Sequence, residues 1–220
     1  MVVDADRDGT ALPFAEGQCG VGDVRTILRQ IYRGSDGYAI PDGEKRRVAR
    51  AHSKATYGEL LPTATLRLLE HLQPTAHDVF YDLGSGIGQV TLHVALATAV
   101  AQSVGVELVG TRHATAEAAR SRALALGCAR ARACTLLNRD FLRVGLGDAT
   151  LVYTCSTAFP AALLRKLATK LARGRLGLRL VTLQPLGSTP WFAATATLRL
   201  DTSWQRRTPV HVYRLTRRAP

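Results

Sequence analysis

The stretch Val79-Phe80-Tyr81-Asp82-Leu83-Gly84-Ser85-Gly86-Ile87-Gly88-Gln89-Val90 constrains this chain more than any other part of it. An apolar run ends in a carboxylate, three glycines alternate with other residues, and a helix-like pattern follows. That order predicts a strand, a tight turn and a helix N-terminus, which together build a crevice at the end of a parallel sheet. Glycine suits such a turn because it tolerates positive φ and lets the backbone approach a ligand with no Cβ in between. Ser103-Val104-Gly105-Val106-Glu107 reads as the next strand. Its closing carboxylate, 25 residues after Asp82, lies where it can take both hydroxyls of a ribose.

The spacing of the glycines narrows the ligand. Dinucleotide sites place G-x-G-x-x-G at this turn. Here the third glycine comes one residue early, and Asp82 precedes the first glycine by two. Asp-Leu-Gly-Ser-Gly-x-Gly resembles the form found in S-adenosylmethionine-dependent methyltransferases of the Rossmann-like class. Electrostatics agrees, because a pyrophosphate avoids a nearby carboxylate whereas a ligand carrying an ammonium and a sulfonium is attracted by one. S-adenosyl-L-methionine is therefore the expected cofactor. The competing reading is a glycine-rich turn in some other α/β domain.

The remaining periodicity fits the same class. Val21, Val24, Ile27, Leu28 and Ile31 recur at helical spacing, and Pro62 opens a second helix through Leu66, Leu69 and Leu72 before Pro74 ends it. Strands are expected at 78–83, 103–107, 133–137, 150–154 and 175–183, alternating with helices at 89–98, 113–126 and 160–172. Strands at 195–200 and 210–215, with no helical pattern between them, read as an antiparallel hairpin at the sheet edge. The expected fold is α/β: a mostly parallel, seven-stranded Rossmann-like sheet with a C-terminal antiparallel hairpin and an N-terminal helical extension. Residues 1–54 form that extension, a helix followed by a mobile, basic connecting region, and residues 55–220 form the methyltransferase domain. At 220 residues and 46% hydrophobic, the chain suits one compact core.

Charge is unevenly distributed along the chain. Residues 55–108 carry one basic and five acidic side chains, whereas residues 109–220 carry nineteen and four. A negative pocket beside a positive surface suits an enzyme that holds a cationic cofactor while docking on a polyanion, whether nucleic acid or nucleosome. Lys45, Arg46, Arg47 and Arg50 precede the first strand, and Arg206, Arg207, Arg214, Arg217 and Arg218 crowd the hairpin, so both sets are expected at the substrate mouth. Arginine makes up 25 of the 29 basic residues, and a composition effect is the alternative source of this excess. Cys19, Cys128, Cys134 and Cys155 form no CxxC pair and no zinc spacing, so reduced thiols and no metal are expected. The acidic start, Met1 to Asp8, has no apolar segment with a cleavage-like site, so nothing marks it for secretion and an intracellular protein is expected. The uncharged interval 83–106 is interrupted by glycines, Gln89, His93 and Gln102, and reads as a buried strand, turn and helix rather than a membrane span.

Thr56-Tyr57-Gly58-Glu59, Asp82 through Val90, Gly105-Val106-Glu107 and Asp140-Phe141-Leu142 occur in this order along the chain. Together they resemble the disruptor-of-telomeric-silencing family, the histone lysine methyltransferases that lack a SET domain, over residues 51 to 215. The resemblance implies that Tyr57, Gly58 and Glu59 cover the methionine end of the cofactor. It places Asp82 and Gly84 around the amino-acid moiety, Glu107 on the ribose, and Asp140 and Phe141 on the adenine, and it counts Gly86, Gly88 and Gln89 among the cofactor-binding residues. Tyr57, Phe159 and Trp204 are implied around the lysine channel, with a core histone, H3, as substrate.

Two departures stand out. The family has paired asparagines after the fourth strand, where this chain has Cys155 and Ser156, and a channel tyrosine is replaced by Val212. Three readings follow: a histone-lysine methyltransferase, a class I methyltransferase for another protein or for RNA, and a cofactor-binding module without catalysis. Amino methyltransferases of nucleic acids usually carry an Asn/Asp-Pro-Pro-Tyr-like tetrapeptide where this chain has Thr154-Cys155-Ser156-Thr157, which weighs against RNA. Methyl transfer from a sulfonium needs alignment and desolvation more than a nucleophile or metal, so positioning residues are expected to dominate the site.

Overall fold

The computed structural model describes residues 12–13, 24–50 and 58–220; Tyr57 and the side chain of Arg47 lie outside the described residues. The apolar runs become strands β1 (Leu12–Pro13), β2 (Val79–Leu83), β3 (Gln102–Val106), β4 (Ala133–Leu137), β5 (Leu151–Thr154), β6 (Arg179–Thr182), β7 (Phe192–Leu200) and β8 (Thr208–Leu215). The helices are α1 (Val24–Ile31), α2 (Asp42–Arg50), α3 (Pro62–Leu72), α4 (Gln89–Ala97), α5 (Gly110–Ala125) and α6 (Ala161–Leu171).

One sheet runs in the order β1-β4-β3-β2-β5-β6-β8-β7. β4, β3, β2, β5 and β6 are parallel, β8 and β7 form the antiparallel hairpin, and β1 adds a two-residue antiparallel strand to the expected seven. Order along the chain reverses between β2 and β5. In an open parallel sheet that reversal opens a crevice beyond the strand ends.

Alternation along the strands divides the core. Phe80, Leu151, Tyr153 and Val181 face α1, α3, α4 and α5, whereas Tyr81, Val104, Val152 and Leu180 face the stripe Leu164, Leu167 and Leu171 of α6. α4 is apolar nearly all round because α1, α3 and the sheet enclose it. At nine residues it is a core helix, and no helix among the described residues is long and apolar enough to cross a membrane. At the opposite end of the sheet from the crevice, Asp78 accepts from Thr75 N–H, Thr150 Oγ1 and Arg179 Nη2 at 2.7–2.8 Å, joining three strand beginnings.

The basic connector departs from expectation, since α2 occupies Asp42–Arg50. The reason is an anchor the pattern does not reveal. Glu44 accepts from the N–H of Thr111 at 3.1 Å and from its hydroxyl at 2.6 Å, placing a carboxylate on the N-terminus of α5, where no side chain of α5 itself caps the helix. Val48 of α2 packs with Ile40 and Val109. The thiol expectation also needs correction, because Cys128 is disulfide-bonded while Cys134 and Cys155 are free.

Candidate active site

The cleft lies at the β2/β5 reversal and holds about 950 Å³ of empty space, part of it open to solvent. The loop after β2 forms its floor. Gly84, Gly86 and Gly88 have φ of +82°, +56° and +81°, the left-handed region where a side chain is strained. A Cβ on Gly84 would stand 3.4 Å from the Phe159 ring, inside the cleft. On Gly88 it would stand 3.0 Å from Ala116 of α5, so this third glycine serves helix packing and does not line the cleft. Tyr32 secures the loop from behind by donating to Ile87 O at 2.9 Å.

The loop consumes its own amides. Gly84 and Ser85 N–H donate to Val106 O, Gly88 N–H to Ser85 O, and Gly86 N–H to Glu107 Oε2 at 2.8 Å. Such a loop offers little to a phosphate. Glu107 also accepts from Val109 N–H at 2.7 Å and is only 7% exposed, so its carboxylate holds the floor and the β3–α5 turn together. Two bonds leave acceptor positions on it for a ligand.

Asp82 is 2% exposed and accepts from Thr91 Oγ1 at 2.9 Å. Burial is the main cause that pushes its carboxyl up to about 7; the Thr91 bond opposes the rise and the charges of Glu107 and Glu59 add to it. A corner with these acids is primed for a cation.

Glu59 and Gly58 reach the cleft through a distant anchor. The Glu59 backbone exchanges bonds with Ser203, and Leu61 N–H donates to Asp201 O, which ties this segment to the β7–β8 turn. Gln89 Nε2 donates to Glu59 Oε1 at 2.7 Å, so Gln89 supports Glu59 and stands outside the lining. Trp204 is 45% exposed and also outside it, with its ring so close to Gly58 that a Cβ there would stand 2.3 Å away. Trp204 thus shields the segment at the lip.

At the other end, Asp140 Oδ1 accepts from Leu142 N–H at 2.9 Å, and Phe141 packs against Phe159 with ring centroids 5.4 Å apart. The cleft therefore brings together Gly58, Glu59, Asp82, Gly84, Gly86, Glu107, Asp140, Phe141 and Phe159. It leaves Gly88, Gln89 and Trp204 behind them, and Tyr57 falls outside the described residues.

The two departures separate. Cys155 lines the cleft as a thiol pushed up to about 11, chiefly by burial, and stays neutral. Ser156 is fully buried and turns away, accepting from Leu183 and Gln184 N–H at 3.1 and 3.0 Å. Val212, paired with Val181, is buried in the sheet core and is not among the lining residues. Sequence reasoning missed Arg112, whose Nε donates to Gly37 O, and Tyr153. A hydroxyl in the otherwise apolar run Leu151-Val152-Tyr153 was the available signal for the latter.

The basic residues split as well. Lys45, Arg46 and Arg50 are exposed on α2 at the cleft side, and Arg206 and Arg207 are exposed in the turn that anchors Glu59. Arg217 and Arg218 follow β8 at its other end, beyond eight residues or about 26 Å of strand. Arg214 pairs in register with Arg179, near the start of β6. The expectation that all these arginines flank the mouth is corrected by the antiparallel course of β8.

The model of the family described as "Histone methylation protein DOT1" matches residues 37–202. The chain belongs to this family. Among curated relatives, the "Histone-lysine N-methyltransferase, H3 lysine-79 specific" of Caenorhabditis elegans is 30% identical over 202 residues, covering 81% of this chain and 20% of the relative. That of Drosophila melanogaster is 30% identical over 167 residues, covering 72% and 9%. This chain spans a fifth or less of these two relatives. Among solved structures, an RNA methyltransferase from Salinibacter ruber in complex with S-adenosyl-L-homocysteine has a TM-score of 0.57 at 22% identity, covering 72% of this chain and 94% of that one. A magnesium protoporphyrin IX methyltransferase from Synechocystis with bound SAM has a TM-score of 0.53 at 14% identity, covering 90% and 100%. These likenesses establish the Rossmann-like methyltransferase fold. The family match contains every cleft residue from Gly58 to Leu163 and stops just short of Trp204, Arg206 and Arg207.

Proposed function

We propose that this protein is an S-adenosylmethionine-dependent protein-lysine N-methyltransferase that acts on histone H3 in chromatin, in the nucleus. The observation that carries the proposal is a cleft with cation-seeking acids at one end and an aromatic pair at the other, in a member of this family. The residues fit the cofactor. Asp82 and Glu59 suit its ammonium and sulfonium, Glu107 retains acceptor sites for ribose hydroxyls, and Asp140 beside Phe141 suits adenine. The committed loop amides disfavour a phosphate-bearing alternative.

When bound, this cofactor supplies a methyl group on a sulfonium, a centre open to in-line displacement by an amine. The chain's own part is placement and desolvation. Phe159 stands over Gly84 at the floor and narrows the approach. A lysine amine must arrive without its proton, and an apolar passage lowers its pKa by disfavouring the ammonium form. Neither Cys155 nor Asp82 is placed as a committed base, so the proton passes to solvent.

Asp82 makes the cofactor step pH-dependent. Its folded value is raised above the ordinary 3.8 to about 7. Its contribution to stability is therefore present below about pH 4 and lost as pH rises through 7 in the unliganded protein. A bound cation reverses this preference by favouring the carboxylate. Affinity for S-adenosylmethionine should rise roughly tenfold from pH 5.5 to 7.5, and Asp82→Asn should flatten that rise. Calorimetry at both pH values checks it; an equal slope in the variant assigns the dependence elsewhere.

Docking on a nucleosome is proposed for the cleft-side arginines. Replacing Arg206 and Arg207 by alanine should reduce the log-log salt dependence of nucleosome binding by about two, whereas replacing Arg217 and Arg218 should change it far less. Equal effects from both pairs would reduce the arginine excess to general charge. The function itself is tested by incubating the protein with methyl-labelled cofactor and either nucleosomes or free RNA. Label on a histone is expected, and label on RNA alone would replace the proposal with an RNA methyltransferase.

A further inference from the structure

Tyr153 of β5 lines the cleft, is 1% exposed, and has a phenol oxygen with no hydrogen-bond partner in the protein. A buried hydroxyl in that state calls for a partner. Its position is set by the sheet: Tyr153 is the register partner of Asp82, so it stands on the far side of the chain reversal from β3. Burial first, then the charges of Cys155, Asp82 and Glu59, hold the phenol's pKa well above its ordinary 10. It is a neutral donor whose one neighbour of hydrogen-bonding kind is the Cys155 thiol, a weak acceptor short of good geometry, so its proton remains available to a stronger acceptor.

Most other donors in this part of the cleft are committed, and the Ser85 hydroxyl, which also lines it, is only partly buried. The amides of Gly84, Ser85, Gly86 and Gly88 all bond within the floor. Cys155 offers a weak thiol, and Ser156 faces Leu183 and Gln184. Arg112 belongs to the helix after β3, two strand spacings or about 10 Å from β5, and its Nε is bonded to Gly37 O. The corner thus presents two carboxylates, Asp82 and Glu59, and one uncommitted buried donor. An amino-acid moiety has the opposite set: an ammonium for the acids and a carboxylate that must find a donor.

We propose that Tyr153 is a positioning residue whose Oη donates a hydrogen bond to the α-carboxylate of the bound cofactor's amino-acid moiety, while Asp82 and Glu59 attract its ammonium. This rests on the cofactor assignment made above.

The test compares S-adenosylmethionine with its decarboxylated form, which keeps the ammonium and sulfonium and lacks only the carboxylate. Calorimetry on wild type and Tyr153→Phe reads both affinities, with thermal melting to confirm that the variant folds. The variant should bind S-adenosylmethionine about tenfold more weakly and the decarboxylated form as tightly as wild type does. Equal affinities of both proteins for S-adenosylmethionine would overturn the inference, and so would a parallel loss for both ligands. Failure of wild type to bind either ligand would overturn the cofactor assignment itself, an outcome distinct from the other two.

Discussion

Glu107→Ala should lower unfolding free energy by about 2–4 kcal/mol and weaken S-adenosylmethionine binding by a further 1.5–3 kcal/mol or so. The first effect follows from the two amides, Gly86 and Val109, that donate to this carboxylate at 2.8 and 2.7 Å and would be left buried without an acceptor. The second follows from the ribose contacts assigned to the same group. Urea denaturation and calorimetry separate them. Unchanged stability would mean that water replaces the carboxylate at both amides, and an unchanged dissociation constant would remove Glu107 from the ligand site. Glu107→Gln, which keeps volume and one acceptor, should fall between wild type and alanine on both scales.

Asp78→Ala should be comparably damaging to stability, by about 2–4 kcal/mol, and should leave cofactor affinity unchanged in the folded protein. Asp78 is 7% exposed and lies at the end of the sheet away from the cleft. It accepts from Thr75, Thr150 and Arg179, and Arg179 in turn donates to Leu72 O at the end of α3. Removing the carboxylate leaves a half-buried guanidinium with no counter-charge and takes the acceptor from the Thr75 N–H and the Thr150 hydroxyl. Burial acts to raise its pKa, but the bonds from Thr75, Thr150 and Arg179 outweigh it and hold the value below 3.8. The Asp78 contribution is therefore present above about pH 4 and lost as pH falls through the depressed value. Its pH dependence has the opposite sign to that of Asp82. A variant with wild-type denaturation midpoints at neutral pH would contradict the account of this network.

The difference between these two acids shows what was legible in the sequence. Asp82 and Glu107 sit at strand ends beside glycines, so local pattern placed them at the crevice, and the strand cadence at 78–83, 103–107 and 133–137 followed from period and punctuation alone. Asp78 sits one residue before the same strand with no motif around it, because its partners Thr150 and Arg179 are 72 and 101 residues away. The same holds for Glu59, whose place over the cleft depends on Ser203, 144 residues on. α2 was hidden for a related reason, since its composition is that of a loop and its helix is docked through Glu44 on α5. The basic residues needed the strand direction. Arg207 and Arg217 are ten apart in sequence, but β8 carries them to opposite ends of the sheet.

Gly88 and Gln89 show the converse. Motif matching groups them with Gly84 and Gly86, yet Gly88 meets Ala116 and Gln89 meets Glu59, so their role is to hold the loop and its cover. Tyr153 carries no motif, and only burial with an unsatisfied hydroxyl marks it.

Mass spectrometry of nucleosomal histone H3 after incubation with the protein and S-adenosylmethionine tests the central claim most directly. The account predicts methyl increments on a lysine of H3 with wild type and at least about tenfold fewer with Glu107→Ala at a cofactor concentration below the wild-type dissociation constant. Unmodified H3 from a wild-type protein shown by calorimetry to bind the cofactor would contradict it.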